Sequence, residues 1–313
     1  MYHINISNIK GSKDMIDQKI LTLLEVYEKK SFSKASHSLA ITQPAVSQHI
    51  KALEEEFGVK IFERGSSELI VTKEGEMIIQ TARKMLGIYN LLLQDLKDRR
   101  GSVAHLIIGV THTVESNPIA ESLAKFCSEN DGISIKIITD TITNLYKKLK
   151  SYELEMIIVE GRKQEEGLKF FMLDTDYLCL AVSPDHPFAK RELVTLSELK
   201  AENLILRLPS SGTRNLFVAH LESNNMSISE FNVILELDNV ATIKDLIRRN
   251  FGVSILPRSA CLDEIKKGKI IVLPIENLSM IRDMNIVYRS DFLQMDILRG
   301  IVKAYNETLR LYK

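Results

Sequence analysis

Between Ile16 and Val71 the apolar residues fall into three short helical stripes followed by two shorter extended runs, and few small folds satisfy that order. Ile16, Ile20, Leu23, Leu24 and Tyr27 recur at the spacing of one helix face. A short second helix follows, with Ser33 as its expected N-cap and Ala35 and Leu39 facing inward. After the turn at Ala40-Ile41, Thr42 is placed to cap a third helix. Pro44 sits in its first turn, where a missing N–H costs little. The stripe of this helix is Val46, Ile50, Leu53 and Phe57, and Gly58 ends it. Residues 59–62 and 69–71, separated by Gly65-Ser66-Ser67, read as a hairpin.

This is the order of a winged helix-turn-helix. Its third helix is narrow enough for the major groove, and side chains at the N-terminal end reach base edges. Gln43, Ser47, Gln48 and Lys51 occupy the exposed face of that end, beside Pro44. Gln pairs bidentately with adenine, Ser is permissive, and Lys contacts phosphate or guanine. The amides at the helix starts near Ser33 and Thr42 suit phosphate oxygens. Lys34 and Arg64 complete the candidate contacts. The same stripes also fit a plain three-helix bundle with a polar face.

Counted over the whole chain, charge argues against nucleic acid. The chain has 41 Lys and Arg against 41 Asp and Glu, a formal net charge of zero, whereas DNA-binding domains are usually basic. The local count reads differently. Residues 29–53 hold no Asp or Glu but include Lys29, Lys30, Lys34 and Lys51. Glu54, Glu55 and Glu56 follow at the end of the third helix away from its cap.

A long helix is expected from about residue 72 to 99. Ile78, Ala82, Met85, Tyr89, Leu92 and Leu96 are spaced 4, 3, 4, 3 and 4 apart, a heptad seam suited to a partner helix. A helix packed on its own domain is the alternative. Beyond Arg99-Arg100-Gly101-Ser102, apolar runs alternate with helical stripes, which predicts a parallel or mixed α/β sheet. Strands are expected at 106–110, 133–138, 156–159, 178–182, 204–206, 233–237, 253–256, 270–273 and 285–288. Helices are expected at 119–128, 144–151, after Thr213, at 241–249 and from about Leu293. At 313 residues the chain suits two or three domains. No apolar run reaches the roughly 18 residues of a membrane span, and Met1-Tyr2-His3-Ile4-Asn5 does not resemble a signal peptide. Cys127, Cys179 and Cys261 are odd in number and form no close pair. A cytoplasmic chain with reduced, structural thiols is expected, with no membrane association. Residues 1–14 read as a flexible extension.

The residues now carry a resemblance. Ser31-Phe32-Ser33-Lys34-Ala35-Ser36, then Leu39 through Ile50, then Leu53 through Arg64, resemble the N-terminal domain of LysR-type transcriptional regulators. More loosely, the match continues through residues 109–113, 154–158, 183–189, 207–214 and 250–257. The resemblance implies a multidomain α+β and α/β chain: a winged helix-turn-helix (15–72), a linker and dimerisation helix (73–101) and an effector-binding domain (102–313). That last domain would have the fold of type 2 periplasmic binding proteins, with lobe I at about 102–175 and 281–313 and lobe II at about 176–280. The sequence departs from the family at the wing tip, where Gly65-Ser66-Ser67-Glu68 lacks basic residues, and at Lys73, where the family usually has proline.

Ligands of open α/β sheets bind beyond the carboxyl ends of strands. Thr111, Thr113, Thr141, Thr143, Ser210, Ser211, Thr213 and Asn239 all follow expected strands. Hydroxyls and helix N-terminal amides together can hold an anion, so a small carboxylate or oxyanion is the expected effector. Taken singly, each is more readily an ordinary helix cap; it is their convergence on one cleft, which the resemblance implies, that favours a ligand site. Arg214 is either a ligand contact or an ion-pair partner, and His112 reads as a surface residue.

Two other classes compete: a solute-binding protein with an unrelated helical domain, and an enzyme using the cleft. The sequence has no HExxH, GxSxG or phosphate-loop motif, and no cofactor is expected. The reading is a non-enzymatic, sequence-specific DNA-binding regulator. It would act as a homodimer or homotetramer on a pseudo-palindromic double-stranded site, modulated by a small effector.

Overall fold

A computed structural model describes residues 15–64, 69–101, 104–116 and 118–312. The expected extension at 1–14 and the wing tip at 65–68 lie outside the described residues. The chain forms two compact units, Met1–Lys97 and Asp98–Lys313.

The first unit holds α1 (Gln18–Lys29), α2 (Phe32–Leu39), α3 (Gln43–Phe57), the strands β1 (Phe62–Arg64) and β2 (Leu69–Val71), and most of α4 (Lys73–Gly101). The short helices begin at side-chain caps. Asp17 accepts from the Lys19 amide, Ser31 from Lys34 and Thr42 from Ala45. Ser33 is therefore not the cap expected from the sequence. Phe32 packs its ring edge-on against Phe62 at 6.0 Å, so α2 begins earlier and Ser33 lies exposed within its first turn. Gly58, at a φ of 66°, turns the chain out of α3 in the left-handed region. Val46, Ile50 and Leu53 are buried, but Phe57, expected in the same stripe, is exposed at the last position of the helix.

The largest departure is in α4. The heptad seam of the sequence mixes two faces of this helix. Ile79, Ala82, Leu86 and Tyr89 are buried in the core of their own unit, and Ile78 packs at its edge. Ala82 and Tyr89 are therefore closed to a partner helix. The physical reason is size: three short helices cannot bury their apolar faces alone, and the 3-4-3 spacing of 79, 82, 86 and 89 supplies the missing wall. Met85, Leu92 and Leu96 are exposed, together with Ile88, which the seam did not include. Gly75 permits the start of this packing, because a Cβ there would meet the Ile61 carbonyl oxygen at 2.3 Å.

The second unit contains β3 (Ala104–Val110), α5 (His112–Glu115), α6 (Ile119–Glu129), β4 (Ile133–Thr139), α7 (Ile142–Lys150), β5 (Met156–Glu160) and β6 (Leu168–Val182). It continues with α8 (Leu196–Leu199), β7 (Leu204–Leu206), α9 (Gly212–Ser223), β8 (Val233–Glu236), α10 (Val240–Arg248) and β9 (Ser254–Pro257). It ends with α11 (Leu262–Lys266), β10 (Ile271–Leu273), β11 (Ile281–Arg289) and α12 (Met295–Arg310). β3 lies parallel to β4 and β5, while β11 runs antiparallel to β5 and β6. β6 is longer than its apolar tail predicted. Its first part pairs with β11, and its last residues pair with β9 and β10.

That continuation divides the unit into two lobes. One set of apolar cores uses residues up to Leu173 and from Met284 onward. The other runs from Leu178 to Met280. Among the described residues, β6 near residues 174–177 and the chain at 281–283 connect the two sets, and this connection is called the hinge below. No described helix is long and apolar enough to cross a membrane.

Candidate nucleic-acid interface and effector cleft

In the first unit, Thr42, Gln43, Pro44, Ser47, Gln48 and Lys51 are all exposed on the N-terminal part of α3, and Ser33 and Lys34 are exposed on α2. Lys51 reaches Glu55 at 3.4 Å on the same helix. The Arg64 side chain lies outside the described residues. The pose of α3 is fixed by a contact that the stripes did not reveal. Thr22 donates its hydroxyl proton to the Gln18 carbonyl at 2.8 Å, so it must accept from His49 Nδ1–H, also at 2.8 Å. His49 thus ties α3 to α1.

In the second unit, the predicted hydroxyls separate into two groups. Thr111 follows β3, caps α5 and donates to Glu160 Oε2 at 2.7 Å. Thr113, in α5, and Thr213, in the first turn of α9, are buried and face each other across the lobes at 3.4 Å. Ser211 is buried at the α9 N-cap without a side-chain cap bond. Thr141, Thr143, Ser210 and Asn239 are exposed. Thr141 and Asn239 cap α7 and α10, and none of the four joins the buried contacts among the described residues. The spacing rule that proposed them holds for any helix start, so it could not separate a cap from a cleft residue.

The residues that sequence reasoning missed are two arginines. Arg207, just after β7, is 4% exposed and donates from Nη1 to Thr113 Oγ1 at 3.0 Å. Arg282, on β11 at the hinge, donates from Nη1 to Thr213 Oγ1 at 3.2 Å. Arg207 pairs with Asp238, and Arg282 with Glu160 at 3.3 Å and Asp176 at 3.8 Å. Asp176 in turn accepts from the amide and hydroxyl of Ser259 in lobe II. Arg282 therefore touches Glu160 in lobe I, Asp176 on the hinge and Thr213 in lobe II. A charged residue closing an all-apolar strand was a usable signal for Arg207; nothing local marks Arg282. Arg214 pairs with Glu236 and donates to the Arg207 carbonyl, which fits the ion-pair reading. His112 stands 3.6 Å from the half-exposed Asp238.

Cys179 donates its thiol to the Leu256 carbonyl at 3.4 Å. Burial pushes Cys179 well up and Cys261 up to about 12, so neither is a ready nucleophile.

Residues 18–76 match the model of the bacterial regulatory helix-turn-helix protein of the lysR family, and residues 99–309 match that of the LysR substrate binding domain. The chain is 27% identical over 88% of its length to a probable RuBisCO transcriptional regulator of Thalassiosira pseudonana, covering 91% of that protein. It is 26% identical over 85% of its length to the HTH-type transcriptional regulator CysL of Bacillus subtilis, covering 89% of it. Among solved structures, CbnR, a LysR family transcriptional regulator, is similar at a TM-score of 0.65 with 16% identity, over 93% of this chain and 98% of that one. A full-length OxyR from Pseudomonas aeruginosa is similar at 0.61 with 21% identity, over 92% and 93%. Those two likenesses are of fold. The matched models span nearly the whole chain, and the family is one of transcriptional regulators rather than enzymes: this chain belongs to the LysR family.

Proposed function

We propose that this LysR-type regulator reads DNA through the N-terminal face of α3 and answers to a small anionic effector held between the lobes of its second unit. Gln43, Ser47 and Gln48 would meet base edges, with Lys51, Lys34, Arg64 and the α2 and α3 N-termini on phosphates. The acid-free run from residue 29 to 53 supports this assignment, since phosphate contacts supply most of the affinity. Two copies would present α3 to a pseudo-palindromic site. The exposed Met85, Ile88, Leu92 and Leu96 on α4 support a helix-to-helix dimer, for which the buried Ala82 and Tyr89 are no longer candidates. CbnR has been solved in complex with its target DNA, and DNA binding, through the N-terminal unit, is proposed for this chain.

The observation that carries the effector reading is the buried chain Arg207–Thr113–Thr213–Arg282, which joins the lobes through donors suited to an anion. A ligand bound there would bias the hinge only through different affinities for the open and closed arrangements. Two measurements test the reading. Retardation of the upstream DNA of its own gene should weaken steeply with salt. Small carboxylates or oxyanions should raise the unfolding temperature saturably, and that rise should disappear in Thr213→Val. Salt-independent retardation, or a ligand response indifferent to Thr213, would count against it.

A further inference from the structure

We infer that the turn after α12 is a releasable latch, which ties lobe I to lobe II through Lys266 and holds the lobes in their present arrangement. None of its residues belongs to the Thr113–Thr213 junction, and the inference stands whatever the cleft binds. Helix α12 is part of lobe I. Its Leu298, Ile301, Ala304 and Tyr305 share an apolar core with Leu123 and Phe126 of α6, and Glu307 pairs with Lys125 of α6 at 2.5 Å. Tyr305, fully buried, donates to Asp174 Oδ2 at 3.1 Å, so the middle of α12 is fastened to β6 at the hinge. Helix α11 is part of lobe II, where Cys261 and Ile265 join the core of Ile243 and Ile247. Among the described residues no apolar cluster contains side chains of both lobes. Their arrangement is therefore set by the hinge strands and by polar contacts.

The end of α12 meets α11 through one side chain. Lys266, the last residue of α11, donates from Nζ to the Leu311 carbonyl at 2.8 Å and stands 5.5 Å from the centre of the Tyr312 ring. The end of a helix leaves carbonyls unpaired and carries partial negative charge. For the 16-residue α12, a cation from the other lobe answers that need. Tyr312 in turn donates to Glu121 Oε2 of α6 at 2.7 Å. It is thus held on both sides, its hydroxyl by lobe I and its ring by lobe II. The bond to Glu121, with burial, pushes its phenol up to about 12, so it remains a donor at neutral pH. Lys266 makes no ion pair among the described residues, while its neighbour Lys267 is taken by Asp263 at 2.7 Å. A carbonyl and a ring face hold an exposed cation only weakly. That strength suits a contact that has to open when the lobes move.

The test is amide hydrogen exchange of the full-length protein, without added ligand, read by mass spectrometry. Lys266→Met keeps the side-chain stem and drops the charge; Tyr312→Leu removes both ring and hydroxyl. Each should speed exchange over residues 211–216, where Thr213 meets Thr113 across the lobes, by about threefold or more. Strands β3 and β9, inside the two lobes, should exchange as in the parent. The double variant should be no faster than the faster single one, because both changes open the same contact. Lys266→Arg keeps a cationic donor and should behave as the parent does. Exchange that changes only over residues 262–268 and 305–312, or nowhere, would show a surface contact with no hold on the lobes and overturn the inference. Additive acceleration in the double variant overturns it as well, and so does a Lys266→Arg protein as fast as Lys266→Met. If Lys266→Met also speeds β3 and β9, the change is loss of fold, and Lys266→Gln, shorter and polar, is judged in its place by the same criteria.

Discussion

Thr113 and Thr213 stand 100 residues apart in the chain and meet hydroxyl to hydroxyl at 3.4 Å. One belongs to the helix that follows the first strand of lobe I, the other to the first turn of α9 in lobe II. Each accepts a hydrogen bond from a different buried arginine. The lobes are therefore joined at this point by polar contacts rather than by a shared apolar core. Net hydrogen bonds of this kind contribute roughly 0.5–1.5 kcal/mol each, small enough for a ligand to replace and large enough to bias a hinge.

Thr213→Val tests that junction. Valine has nearly the same shape, so the change removes the hydroxyl and leaves the Arg282 Nη1 donor without this acceptor. A destabilisation of about 1–3 kcal/mol is expected for the second unit, with a weakened response to effector and DNA retardation by the effector-free protein retained. Thr111→Val should also weaken the response, by freeing Glu160 from its hydroxyl donor. Thermal unfolding and effector-dependent gel retardation check both. A Thr213→Val protein that responds like the parent would sink the assignment.

The two faces of α4 predict different failures. Tyr89 is buried in the first unit, so Tyr89→Ala should cost about 3–5 kcal/mol of that unit's stability, as large core truncations do. Leu92, three residues on, is exposed on the adjoining face. Leu92→Glu should leave the unfolding transition nearly unchanged while lowering the sedimentation mass toward that of one chain. If Leu92→Glu sediments as the parent does, the exposed stripe is not the association surface.

This contrast shows where the sequence was legible. Helix α4 was legible because its apolar residues recur, and the effector unit because strand and helix patterns alternate. Which apolar face of α4 looks inward was not, since both faces carry 3-and-4 spacing and only the volume of the small core chooses between them. The hydroxyls of the cleft were half legible for a related reason. A threonine before a helix is a cap wherever it stands, and Thr141 and Thr111 differ only in what lies across from them. Arg282 was not legible at all, because its partners Glu160, Asp176 and Thr213 come from three distant segments brought together at the hinge.

On α3, Gln43→Ala or Ser47→Ala should relax sequence preference by roughly 1–3 kcal/mol for a true base contact, with little change on nonspecific DNA. Lys51→Ala should instead weaken all sequences alike and reduce the salt slope by about one counterion. Thr42→Ala removes the cap that accepts from the Ala45 amide and should cost about 1 kcal/mol of stability in addition. Competition titrations with specific and scrambled duplexes distinguish the three. If Gln43→Ala leaves the preference for the specific site intact, the proposed groove-facing register of α3 is wrong.

Glu54, at the other end of α3, is expected to contribute to the pH dependence of the first unit. Its carboxylate accepts from Lys60 Nζ at 2.6 Å and from the Ile61 amide at 2.9 Å, which fastens the turn into the wing. Burial alone raises its pKa, but the hydrogen bonds from Lys60, Ile61 and Phe62 outweigh that and hold the group below the ordinary glutamate range. A carboxyl whose pKa is lowered by folding stabilises the fold above its unfolded value, and that contribution is lost as the pH falls through the folded value. Glu54→Gln keeps one oxygen acceptor and removes the charge. It should cost about 1–2 kcal/mol near neutrality, and the gap between variant and parent should close as the pH falls below the ordinary glutamate range. Urea unfolding of the full chain at a series of pH values, followed by far-ultraviolet dichroism, measures the gap. A difference that stays constant from neutral to acid pH would assign the effect to shape rather than to charge.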